Sequence, residues 1–184
     1  PMEKIGGIVV DSFPALGTLT AMRFLEWVQA DPQGVISLPT GKTPEHFIKE
    51  AKRLLQGWKR KEVQHELEEW GLDPAKKCDL HALRFVQIDE FYPINPLHFN
   101  SFYHYVKRFY IEGFGLDPAQ ALLIDCSRIG LPSGKPLEEV WPGGEVDLSL
   151  RYRMATSKQE ELQKEVLERV DQWCTEYEAR IREL

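Results

Sequence analysis

The sequence predicts an α/β fold with a mostly parallel sheet, and three observations carry that prediction. Short apolar runs, β-branched or alternating, recur at residues 7–10, 35–38, 83–88 and 121–125. Between them lie segments whose apolar residues return every three or four positions, the period of a helix with one buried face. The runs are bounded by Asp, Ser, Gly or Pro, the residues that end strands and open helices. Strands that alternate with helices pair in parallel through crossovers, which places helices on both faces of the sheet.

Taken in order, Gly7-Ile8-Val9-Val10 reads as a strand, ended by Asp11-Ser12. Pro14 then falls in the first turn of a helix that sets Ala21, Phe24, Leu25 and Val28 on one face. Val35-Ile36-Ser37-Leu38 reads as a second strand, followed by a glycine-containing turn and a helix carrying Phe47, Ile48, Ala51, Leu54, Leu55 and Trp58. From about 59 to 80 the chain is charge-rich, with only Val63, Leu67 and Trp70 spaced as an apolar stripe, which predicts a solvated helical insertion. Residues 83–88 alternate as a strand and stop at Asp89-Glu90. Asn100 or Ser101 caps the next helix, whose Phe99, Phe102, Tyr103, Val106 and Phe109 or Tyr110 form an aromatic face. Residues 121–125 make the fourth strand, residues 126–154 read as loop, and Thr156 or Ser157 opens a long terminal helix. In that helix Leu162, Val166, Val170, Trp173, Tyr177, Ile181 and Leu184 form one stripe, suited to packing on the core.

Composition limits the function. The 184 residues are 42% hydrophobic and 28% charged, as in a globular domain, and 23 basic against 29 acidic residues leave a net charge of −6. A dedicated nucleic-acid or anionic-membrane binder needs a clustered positive face that this balance argues against. Cys78, Cys126 and Cys174 are odd in number and far apart, so they read as reduced thiols. Residues 1–10 lack the pattern of a signal peptide and no run is long enough to span a bilayer, so the expectation is a soluble, cytoplasmic protein.

In open parallel sheets ligands collect at the carboxyl ends of the strands, and two places qualify. Thr40-Gly41-Lys42-Thr43-Pro44 stands between a strand and a helix. It offers a tight turn, hydroxyls, backbone N–H groups and a helix N-terminus, the parts of an anion cradle. Its spacing matches neither a P-loop nor a dinucleotide fingerprint, and an ordinary strand-to-helix turn explains it equally well. At Asp89-Glu90, two acids project differently from a strand end and can act as a proton acceptor and an orienting partner; the plainer alternative is a loop cap beside a solvated acid. The five histidines show no zinc spacing, no G-x-S-x-G elbow is present, and Cys126 reads as a buried strand-end thiol. No metal is expected.

These motifs carry a resemblance. Leu38-Pro39-Thr40-Gly41-Lys42-Thr43-Pro44 resembles the Leu-Pro-Thr-Gly-Gly-Thr-Pro loop of the glucosamine-6-phosphate deaminases. Val86-Gln87-Ile88-Asp89-Glu90-Phe91-Tyr92, with Asn100-Ser101-Phe102-Tyr103-His104-Tyr105 after it, is similar to that family's Met-Asp-Glu-Tyr and Ser-Tyr-x-x-Phe pair. The resemblance runs from about Ile8 to Leu184 and implies a Rossmann-like three-layer α/β/α domain, of which this chain is the N-terminal part, interrupted by the charged insertion. It implies conversion of glucosamine 6-phosphate to fructose 6-phosphate and ammonia, without a cofactor, by proton transfer between C2 and C1 through an enolamine. Asp89 would be the base, with Glu90 beside it, and Thr40, Gly41, Lys42 and Thr43 would hold the phosphate.

Lys42 departs from the family's second glycine. The family's Asp-Gly-His strand, which carries the ring-opening histidine, does not occur in this sequence, so the chain alone is expected to be inactive or very slow. Two alternatives stand beside the deaminase: a 6-phosphogluconolactonase-like hydrolase, disfavoured because Phe91 and not arginine follows the acid pair, and a non-catalytic sugar-phosphate-binding module. The expected partner is a small sugar phosphate, with self-association into a homo-oligomer favoured by an exposed apolar face.

Overall fold

A computed structural model describes residues 7–184. In chain order the elements are α1 (Phe13–Ala30), β1 (Val35–Ile36), α2 (Glu45–Gly57), α3 (Lys61–Glu69), β2 (Arg84–Val86), α4 (Phe102–Val106), α5 (Glu112–Phe114), β3 (Ala121–Leu122), α6 (Leu137–Val140) and α7 (Lys158–Arg182), with short 3-10 turns and one π-helical turn among them. The fold is mixed α/β with a parallel sheet, as the alternation of runs predicts. The chain forms two compact units, one of described residues up to Gly34, Pro39–Leu83 and Phe109–Pro118, the other of Val35–Leu38, Arg84–Arg108 and Ala119–Leu184.

In the first unit, the Ser12 hydroxyl accepts the Ala15 N–H at 3.3 Å and caps α1, with Pro14 in its first turn. The helix buries Ala21, Met22, Phe24, Leu25 and Val28, and α2 buries Phe47, Ile48, Ala51 and Leu54. The two helices meet at Gly17, where an added Cβ would stand 2.5 Å from the His46 Cβ and 2.7 Å from its carbonyl carbon. Gly17→Ala therefore costs about 1–3 kcal/mol through overpacking, read as a lowered midpoint in urea; an unchanged midpoint would place the helices farther apart. Phe114 of α5 joins Phe24 and Phe47, each ring centroid 5.8 Å from its own. Of the charged insertion, α3 buries only Val63 and Leu67, while Trp70 is 39% exposed.

The expected first strand is a correction. Residues 7–10 are irregular, with Ile8 66% and Val9 96% exposed. A β-branched run becomes a strand only when a neighbour completes its hydrogen-bond ladder, and among the described residues none does so. The expected start at Pro1 lies, over residues 1–6, outside the described residues.

The second unit contains the sheet, ordered β1-β2-β3 and parallel throughout. Val35 pairs with Arg84 and Ile36 with Phe85; Phe85 pairs with Ala121 and Val86 with Leu122. Helix α7 opens at Ser157, whose side chain accepts the Glu160 N–H. Glu160 reaches back to the Thr156 N–H at 2.6 Å and binds Arg153, which together with Thr156 holds its carboxyl down to about 2. Of its predicted stripe Val166 and Tyr177 are buried, Trp173 stacks on Tyr177 with centroids 4.8 Å apart, and Ile181 stays exposed; Leu167, outside the stripe, is buried as well.

The reading of residues 126–154 as loop is also corrected. Four short helical turns, α6 among them, run through this segment. They place Val140, Trp141 and Leu150 in a core with Cys126, Leu137, Val166 and Leu167. The Gln159 and Gln163 side chains of α7 donate to the Val140 carbonyl at 2.8 and 2.9 Å and pin the segment down. Its proline and glycine content breaks regular structure without preventing burial.

Candidate functional site

Strand β2 continues past its last ladder residue through a side chain. Gln87 is 3% exposed. Its backbone N–H donates to the Leu122 carbonyl, its side-chain oxygen accepts the Ile124 N–H, and its side-chain N–H donates to the Asp89 carbonyl, each at 3.0 Å. An amide has both a donor and an acceptor, so it extends the pairing of two strand ends where the backbone pairing stops. The Tyr177 hydroxyl closes the junction, reaching the carbonyl oxygens of Gln87 at 2.6 Å and Leu122 at 2.9 Å. Burial pushes its phenol up to about 12, so it stays a neutral donor.

This junction fixes the backbone from which the two acids diverge. Glu90 is consumed by structure: one carboxylate oxygen accepts the N–H groups of Phe91 at 2.9 Å and Phe102 at 3.1 Å, and the other accepts the Ser101 hydroxyl and the Tyr103 N–H, both at 2.8 Å. Ser101, wholly buried, in turn accepts the His104 N–H at 3.2 Å. Glu90 and Ser101 thus satisfy the free amides at the start of α4, and the negative charge suits the positive end of the helix. Asp89, the residue before Glu90, is exposed, and its carboxylate has no hydrogen-bond partner among the described residues.

Asp89 borders a cleft of about 320 Å³ within the second unit, at the carboxyl ends of β2 and β3. Ile124, Ile129, Trp173 and Ile181 give it apolar walls, and Glu178 and Cys174 stand at its polar side. Cys126 also lines it, but burial pushes this thiol up to about 12 and its sulfur lies 3.6 Å from the Phe91 carbonyl oxygen. It is a neutral core group, not a nucleophile. Among the described residues no cluster of His, Cys, Asp or Glu could hold a metal ion. No helix among them is long and apolar enough to cross a membrane.

The turn at residues 40–44 belongs to the first unit. Gly41 has φ +98°, a backbone setting that L side chains rarely adopt, and a Cβ there would meet nothing within 4 Å. Lys42 and Thr43 are exposed and Thr40 is half-buried; Pro44 stands before α2 and is buried. The helix has no side-chain cap. The Glu45 N–H turns back to the Lys42 carbonyl at 3.2 Å, while the amides of His46 and Phe47 have no acceptor among the described residues.

No protein-family model matches the sequence, and a search of curated proteins finds no relative. Among solved structures the fold is similar to a monomeric glucosamine-6-phosphate deaminase of the NagB superfamily, with a TM-score of 0.48 and 17% sequence identity. The match covers 64% of this chain and 41% of that one.

Sequence reasoning missed Gln87 and Tyr177 as builders of the strand-end junction. One signal was present for the first: alternation puts Gln87 on the face of Leu83 and Phe85, both buried, and a polar residue on a core face needs partners. Ile88, the apolar residue that follows, is 69% exposed.

Proposed function

We propose that this chain binds a sugar phosphate of the glucosamine 6-phosphate kind and that Asp89 is the proton acceptor acting on it. The observation that carries the reading is the division of labour at the strand end: the Glu90 carboxylate accepts four hydrogen bonds, and the Asp89 carboxylate has none among the described residues. A carboxylate free of internal partners, held on a rigid strand end beside a cleft, is available to a substrate proton. The motif resemblance supplies the substrate class.

On the open-chain amino sugar, Asp89 takes the C2 proton. The electron pair of that C–H bond becomes the C1–C2 double bond, and the C1 carbonyl oxygen gains a proton, giving an enolamine. Returning a proton to C1 leaves an imine at C2, and water hydrolyses it to the ketone and ammonia. Glu90 acts as a positioning residue, fixing the backbone on which Asp89 sits. The Asp-Gly-His motif is not in this sequence, so substrate must open its ring spontaneously and turnover by this chain is slow. Loss of one general acid/base group costs about 100- to 10,000-fold.

Within the first unit, Thr40, Gly41, Lys42 and Thr43 are proposed as an anion-binding turn for a sugar phosphate. Backbone N–H groups, two hydroxyls and one ammonium suit an anion. Calorimetric titration with glucosamine 6-phosphate and with glucosamine tests the reading. Lys42→Gln is expected to weaken the phosphorylated sugar by roughly 10-fold, the scale of one charge-assisted contact, and to leave glucosamine unchanged. Equal weakening of both sugars, or no saturable binding of the phosphorylated one by the unaltered chain, would reject it. Prompt hydrolysis of 6-phosphogluconolactone with no ammonia from glucosamine 6-phosphate would favour the lactonase instead.

A further inference from the structure

The segment from Asp89 to Ile94 separates two clefts of the second unit. Asp89, Glu90 and Tyr92 border the one already described, and Phe91, Pro93 and Ile94 line another of about 720 Å³. Its opposite side comes from the segment that sequence reading treats as loop: Leu137, Glu138 and Trp141, with Gly143 and Gly144 at the rim. A hydroxyl bridge and a ring contact keep the clefts apart. The Trp141 indole N–H donates to the Tyr92 hydroxyl at 3.3 Å, and the two rings meet edge to face at 6.3 Å and 84°.

We propose that this second cleft binds a small organic cation with a flat apolar body, a ring carrying an ammonium group. Three observations converge on that chemistry. The walls are largely apolar, and Phe91, 63% exposed, presents its ring beside Phe102 with centroids 5.0 Å apart; aromatic faces attract cations. Among the described residues Glu138 is the one carboxylate in the lining, and it takes no ion pair with any of them; Lys135 pairs with Glu139. Among the described residues no lysine or arginine lines the cleft, so none of them compensates a phosphate or a carboxylate there.

The remaining polar groups suit a ligand that is amphipathic at one end. His98, in the lining, accepts the Asn100 N–H with Nδ1 at 3.2 Å, which leaves Nε2 as the ring's other hydrogen-bonding nitrogen. Asn95 accepts the Leu97 N–H with its side-chain oxygen and keeps its amide donors. Gly143 and Gly144 have φ +77° and +76°, and a Cβ at either would meet nothing within 4 Å, so the rim is left without side chains. The volume lies in the range of small-ligand sites.

The test uses 2-phenylethylammonium as probe and 3-phenylpropionate, similar in shape and opposite in charge, as its control, both titrated into the whole chain and followed by amide chemical shifts. The ammonium is expected to saturate at roughly millimolar concentration, at least about 10-fold tighter than the anion. Glu138→Gln should bring the two within about 3-fold of each other, and Phe91→Ala should weaken the ammonium without restoring the anion. Both positions are exposed, so the variants keep the fold. Equal binding of anion and cation, a preference unmoved by Glu138→Gln, or no saturation by the ammonium would each overturn the proposal.

Discussion

Replacing Glu90 by alanine lowers the unfolding free energy by about 2–4 kcal/mol. The carboxylate accepts four hydrogen bonds, and three of its donors belong to the start of α4: the Ser101 hydroxyl and the N–H groups of Phe102 and Tyr103. A hydrogen bond to a charged group contributes about 1.5–3 kcal/mol, and stranded donors cost more where water is excluded, as at Ser101. The four do not add, because they share one acceptor and the helix end can take up water. Glutamine does not rescue the position, since its NH₂ would face donors already present. Urea denaturation of Glu90→Ala and Glu90→Gln measures both effects. A loss under about 0.5 kcal/mol in either variant would mean that the helix start is held by something else.

Trp141→Ala has an effect of similar or larger size, about 3–5 kcal/mol. The indole is 1% exposed, packs with Val140, Leu150 and Val166, and donates its N–H to Tyr92. Trp141→Phe keeps most of the buried area and loses the hydrogen bond and a small part of the ring volume, so it costs less, about 1–2 kcal/mol. The contrast separates a large cavity from a small one combined with loss of a polar contact. Were residues 126–154 a solvated loop, both substitutions would fall within about 0.5 kcal/mol.

That segment shows where sequence patterning loses its grip. Leu137, Val140 and Trp141 fall at helical spacing, but α6 is only four residues long, and Pro136 and Pro142 enclose it. A window long enough to reveal a period averages such a turn away. At residues 7–10 the error runs the other way: the β-branched run is locally strand-like, but a strand needs a partner, and pairing is not written in the run itself. Long elements were legible for the converse reason. The stripe of α7 is a local pattern repeated often enough to mark the helix, and its start was narrowed to Thr156 or Ser157, of which Ser157 is the cap.

The candidate site was legible in its position and not in its roles. Asp89 and Glu90 end a strand run, and parallel strands direct ligands to that end. Which acid is free depends on donors 11 to 13 residues farther along, at Ser101, Phe102 and Tyr103. Sequence spacing left open whether Asn100 or Ser101 caps α4. The structure gives the role to Ser101, because its hydroxyl both accepts from His104 and donates to Glu90. The Gly41 turn is legible because a positive φ favours glycine whatever surrounds it.

Deuterium incorporation is the most direct measurement of Asp89 as a proton acceptor. Glucosamine 6-phosphate is incubated with the chain in deuterated buffer, and C1 and C2 are followed by NMR, which registers slow exchange that an ammonia assay would miss. The unaltered chain is expected to introduce deuterium above the buffer rate, and Asp89→Asn to abolish that excess while glucosamine 6-phosphate still binds. Exchange that persists undiminished in Asp89→Asn, or no exchange above buffer with a chain that demonstrably binds the sugar phosphate, contradicts the assignment.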